Sequence, residues 1–186
     1  MEVDHVIKVT LTNEILKRIS EIDEKRFSLS TIEMPPVIKN RLRKNSKKKS
    51  SYASNKIEGN PLTEKQANEA IDSDPHKHFL KPEQEVRNYF LALNFSLTIH
   101  PFEDGNGRTA RLISGYILDY YGYGFNGIGS LEEYFAYDPD EYYASLQMGL
   151  PALYYSGREN PPHPESWINY FLRMMELYSK KVYELL

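Results

Sequence analysis

With 186 residues, 40% of them hydrophobic and 26% charged, the chain is long enough for one soluble domain with a real core. A net charge of -3 makes no general case for nucleic-acid binding, and the lack of cysteine excludes disulfides, thiolate metal sites and a cysteine nucleophile. No signal peptide and no apolar run of membrane-spanning length is found, so a cytoplasmic protein without a membrane partner is expected.

Leu11, Ile15, Ile19 and Ile22 recur at helical spacing, which predicts an amphipathic helix over 11–27, before the break at Pro35 and Pro36. A second helix is expected to start at Val37 and run into the basic cluster RLRKNSKKK (41–49), read as a solvated connecting face rather than a surface for nucleic acid or an acidic partner. The stretch SNKIEGN (54–60) predicts a short helix ended by Gly59, with Pro61 just beyond and Glu58 at its end. Val86, Phe90, Leu93 and Leu97 form one stripe over 83–98, a buried helix leading to His100. Residues 112–120 continue as an apolar helix. GYGFNG (122–127) has the glycine spacing of a dinucleotide fingerprint, but it follows a helix rather than a strand and reads as a helix-ending loop. Helices over 131–137, 141–150 and 167–185 complete an all-α chain with no strand pattern.

Chemistry concentrates in HPFEDGNGRTAR (100–111). His100 has a side chain that takes a proton near neutrality, which suits a base acting on a hydroxyl. Asp104 is a hard oxygen ligand of the kind that holds Mg2+ beside substrate phosphates. Gly105, Asn106 and Gly107 permit positive φ and close backbone approach, so their amides can form an anion-binding concavity at the start of the following helix. Arg108 and Arg111, three apart on one helix face, can clamp non-bridging phosphate oxygens. His5, His76, His78 and His163 lack such neighbours and read as surface or core histidines.

The run resembles the signature of the Fic (filamentation-induced-by-cAMP) family at every fixed position of HPFxxGNGRxxR. The resemblance implies an all-α Fic-type helical domain, its active-site loop opening onto a central helix, that moves AMP from ATP onto a protein Ser, Thr or Tyr hydroxyl. It makes His100 the base, Asp104 the Mg2+ ligand and Asn106 a partner of the α-phosphate. Arg108 falls on the β-phosphate side and Arg111 on the γ-phosphate. Doc kinase toxins replace the second Gly of GNGR with Lys, and this chain keeps Gly107, which favours nucleotidyl over phosphoryl transfer.

Ser54 and Glu58 also resemble the family's inhibitory [S/T]xxxE[G/N] motif, whose Glu pairs with the second arginine, here Arg111, and keeps it from the γ-phosphate. Tyr142, Tyr143 and Leu146 match a YYxxL element whose tyrosines flank adenine. The resemblance implies an N-terminal helical extension over 1–50 and a Fic domain over 51–186. The family's β-hairpin flap, which clamps the target segment by strand addition, has no counterpart between 94 and 100. The implied enzyme is an ATP- and Mg2+-dependent protein adenylyltransferase repressed by Glu58, acting on a protein substrate or on itself, with the oligomeric state open. The alternatives are a nucleotide-binding regulatory module with little transfer activity and an enzyme that removes AMP.

Overall fold

The computed structural model describes residues 10–74, 79–92, 105–149 and 163–186, and among these it is helical with no strand. In chain order the helices are α1 (Asn13–Ser30), α2 (Pro36–Ile57), α3 (Glu64–Asp72), α4 (Lys81–Ala92), α5 (Asn106–Tyr120), α6 (Leu131–Phe135), α7 (Pro139–Leu146) and α8 (Pro164–Glu184). No helix among the described residues is long and apolar enough to cross a membrane.

Helix α1 starts where the Thr12 hydroxyl accepts from the Ile15 amide, a side-chain cap for one orphan N–H of the first turn. It outlasts the expected end at Phe27 by one turn. Its buried residues are Ile15, Ile22 and Leu29, a seven-residue spacing that lays one narrow seam along α8, so the other members of the predicted stripe, Leu11 and Ile19, face outward.

The two helices expected between Val37 and Gly59 are one continuous helix, α2, opened by Pro36 in its first turn and running unbroken through residues 50 and 51. Apolar periodicity fails here because α2 buries small polar side chains: Ser46, Ser50, Ser51, Ser54 and Asn55 are all buried. Each of these finds a partner, as burial requires. Ser51 donates to the Val86 carbonyl of α4 at 2.5 Å, Asn55 Nδ2 donates to the Ser51 carbonyl, and Ser46 bonds Gly129. The Ser50 and Ser130 hydroxyls lie 2.9 and 3.1 Å from Glu132 Oε2. Hydroxyls in place of branched chains let α2 sit close to α3, α4 and α6, making it the helix around which the others gather. The basic cluster on its outer side is paired across the fold: Lys44 and Lys48 with Asp72, Lys49 with Glu133, and Arg43 Nε with the Asn126 carbonyl.

Helix α3 had no apolar signature, yet Thr63 and Gln66 form a reciprocal capping box at its start. Helix α4 begins at Lys81, and the remainder of the 83–98 prediction lies outside the described residues, as does the 94–100 stretch where the flap was sought. GYGFNG is the expected loop, a turn followed by one 3-10 turn at Phe125–Gly127, with Phe125 buried against Tyr178. At Gly129, φ is +130° and a Cβ would collide with Tyr178 and Val182 of α8, so glycine is required there. Helix α6 stops at Phe135. Helix α7 starts at Pro139, behind the Asp138 cap, and ends at Leu146. Helix α8 starts at Pro164 rather than Trp167. The core between α1, α2, α6, α7 and α8 is strongly aromatic, built on Phe135, Tyr142, Tyr170 and Tyr178 with Met174 and Met175.

Candidate active site

Three helix ends meet at the site: the carboxyl end of α2, the amino end of α5 and the first turns of α7. Helix α5 starts at Asn106 behind Gly105, whose φ of +93° is left-handed and suited to glycine. Among the described residues no side chain caps this end, and a helix amino terminus presents its first amides as donors to an anion. Helix α2 stops because Gly59 turns left-handed at φ +81°, with the Glu58, Gly59 and Asn60 amides bonding back to the carbonyls of Asn55 and Lys56.

Arg111 crosses from α5 to α2. Its Nε donates to Ser54 Oγ at 2.8 Å and its Nη2 to the Ser54 carbonyl at 3.0 Å. Nη2 also donates to Glu58 Oε1 at 2.7 Å, and Nη1 reaches Tyr142 Oη at 3.3 Å. The residue is 4% exposed. Burial works against its charge, but the hydrogen bonds to Glu58 and Tyr142 and their attraction outweigh it, holding the pKa above the usual arginine value. The cation also faces the carbonyl end of α2, where the helix dipole favours positive charge.

Arg108 points to the same helix end by another route. Its Nη1 donates to Asn55 Oδ1 at 3.1 Å and stands 4.0 Å from Glu85 Oε2 of α4. Gly107 lies beneath Glu58, close enough that a Cβ there would overlap Glu58 Oε1.

The two tyrosines of α7 divide the work. Tyr142 is buried among Phe135, Trp167 and Tyr170, with its hydroxyl on Arg111 and the guanidinium 5.8 Å from its ring centre. Tyr143 is 42% exposed, and its hydroxyl donates to the Ile57 carbonyl at 3.2 Å. Burial and the neighbouring Glu58 raise its pKa, against the opposing pull of Arg111.

The structure therefore brings together Ser54, Glu58, Gly107, Arg108, Arg111, Tyr142 and Tyr143 around the start of α5. Asn106 is the first residue of that helix. His100 and Asp104 lie outside the described residues. Among the described residues no group of three or more His, Asp or Glu is arranged to hold a metal. Asn55, Asn60 and Glu85 belong to the site and were missed by the sequence reading. Asn55 follows Ser54 on the face of α2 that carries Ser51 and Glu58, a spacing that could have flagged it, whereas nothing local marks Glu85.

The Fic/DOC family model matches residues 10–118. The chain belongs to the Fic/DOC family. The match begins ahead of α1 and ends in α5, so the Fic region takes in both α2 and the GNGR turn, and α6 to α8 with Tyr142 and Tyr143 lie beyond it. Fic proteins include AMPylators and related transferases. No curated protein matches the chain.

Proposed function

We propose that this Fic protein transfers AMP from ATP to a Ser, Thr or Tyr hydroxyl of a protein, and that Glu58 holds it repressed. The observation that carries the reading is the occupation of Arg111: in a phosphate-type setting at a helix amino terminus, its guanidinium is bound to Glu58, Ser54 and Tyr142. An arginine committed to a carboxylate cannot present the same fork to a γ-phosphate.

In the reaction the acceptor oxygen attacks the α-phosphorus, the bond to the bridging oxygen of the β-phosphate breaks, and pyrophosphate leaves. The acceptor proton passes to His100 in its proposed role as base. The first amides of α5, with Arg108 and Arg111, fit the phosphate chain by charge and donor type. Mg2+, with Asp104 as its proposed ligand, supplies further neutralisation of phosphate charge when bound. Tyr143, half exposed beside α2, is the proposed edge of the adenine site.

The test is label transfer from ATP in the presence of Mg2+, with the full chain and its Glu58→Gly and Glu58→Gly/Arg111→Ala variants. Self-modification should rise in the first variant and fall back in the second. Nucleotide binding without label transfer, even in Glu58→Gly, would instead support a nucleotide-binding regulatory module. Release of AMP from a pre-modified protein would identify an AMP-removing enzyme.

A further inference from the structure

Repression through Glu58 concerns Arg111 alone, yet Arg108 is also engaged, and by different residues. Asn55 is buried at 1% exposure and donates its Nδ2 to the Ser51 carbonyl, which fixes its amide so that Oδ1 faces Arg108. Glu85 is oriented in turn. Asn60 Nδ2 donates to Glu85 Oε2 at 3.0 Å and to the Pro82 carbonyl at 3.0 Å, while Asn60 Oδ1 accepts from the Leu62 amide. Two acceptors, one from α2 and one from α4, thus converge on Arg108 Nη1 at 3.1 and 4.0 Å.

We infer that Glu85 and Asn55 are positioning residues that hold Arg108 against the β-phosphate, a second restraint separate from the Glu58–Arg111 pair. The inference rests on the proposed nucleotide site. Its consequence is selective by phosphate number. A ligand with a β-phosphate must draw Arg108 Nη1 from Asn55 and Glu85, whereas a ligand with only an α-phosphate leaves that contact in place. Releasing Glu58 alone would therefore leave the enzyme partly restrained.

The experiment is calorimetric titration of the full chain with AMP and with ADP, in Mg2+, for wild type, Glu85→Gln, Arg108→Ala and Glu85→Gln/Arg108→Ala. Glutamine keeps an acceptor for Asn60, so the local turn should survive, and Asn55→Ala provides a second route to the same release. Loss of a partly exposed charge pair corresponds to roughly 1.5- to five-fold. ADP should bind tighter by that factor in Glu85→Gln and in Asn55→Ala, AMP should be unchanged, and the gain should vanish without Arg108.

A flat ADP response in both variants overturns the inference. So does a gain that is equal for AMP or that persists in the Arg108→Ala background, because that would be the general field of one fewer negative charge. The label-transfer assay keeps the two ideas separate. Active Glu58→Gly with a flat ADP response removes only this inference, whereas no binding of AMP, ADP or ATP by any variant removes the nucleotide site and this inference together.

Discussion

Glu58 Oε1 lies so close over Gly107 that a Cβ there would overlap it. The second glycine of GNGR therefore has a role besides its proposed close phosphate approach: it makes room for the Glu58 carboxylate on Arg111. Gly107 lies inside α5 without a left-handed φ, so alanine brings no backbone strain, and the atom it meets is the movable end of a side chain. Gly107→Ala should displace Glu58 from Arg111. Calorimetry with ATP then forms a cycle: Glu58→Gly should tighten binding in wild type and add nothing once Gly107→Ala is present. Independent, additive effects would mean that Glu58 accommodates the methyl without leaving Arg111.

The Ser54 hydroxyl gives Arg111 Nε a buried acceptor that Glu58, which binds Nη2, does not supply. Ser54→Ala removes the partner of Nε in a place where water does not reach, at a cost of about 1–3 kcal/mol. The urea midpoint should fall accordingly. Transfer should rise less than in Glu58→Gly, because the Glu58 carboxylate still holds Nη2. A gain equal to that of Glu58→Gly would make the serine, not the carboxylate, the principal restraint.

The all-α fold could be read from the sequence where apolar spacing or glycine turns governed it, as in α1, α8 and the loop that GYGFNG forms, whereas α3, with a capping box and no apolar stripe, was missed. Along α2 the sequence predicts two helices where there is one, and their continuity is not legible. A helix whose buried face is mostly Ser46, Ser50, Ser51, Ser54 and Asn55, with Ala53 and Ile57 its buried apolar residues, carries no clear hydrophobic period, and its pairing with Ser130, Glu132 and the Val86 carbonyl is set by residues distant in sequence. The site shows the same division. Arg108, Arg111, Ser54 and Glu58 announce themselves in short motifs. Glu85 enters through α4 only because Asn60 orients it toward α2, a relation that no local pattern encodes.

Away from the site, Glu176 of α8 bridges Arg18 of α1 and Lys180 of its own helix. The hydrogen bond from Lys180 is the main cause of a carboxyl pKa below its ordinary value, helped by the charges of Lys180 and Arg18 and opposed by burial. A depressed folded pKa means stability that is fully present above the unfolded value, about 4.3, and is lost as pH falls through the folded value. Glu176→Gln should destabilise by about 1 kcal/mol at pH 7, after discounting for solvent around Lys180. The difference between variant and wild-type urea midpoints should shrink below about pH 4. A difference that ignores pH would assign the effect to packing between α1 and α8.

The sharpest separation of chemistry from binding concerns His100 and Asp104. Among the described residues, Arg108 and Arg111 are anchored by Ser54, Asn55, Glu58, Glu85 and Tyr142. These anchors should keep the proposed phosphate-binding arginines in place in His100→Ala. If the imidazole is the base for the acceptor, transfer by the Glu58→Gly/His100→Ala double variant should fall ~100- to 10,000-fold below Glu58→Gly, with ATP affinity nearly unchanged. Asp104→Ala should behave differently. A carboxylate that shares Mg2+ with the phosphates affects the nucleotide before any chemistry occurs, so ATP binding should lose much of its Mg2+ dependence. Calorimetry with and without Mg2+, run beside label transfer, distinguishes the two roles. Weakened ATP binding in His100→Ala, or intact Mg2+ dependence in Asp104→Ala, would reassign the residue concerned.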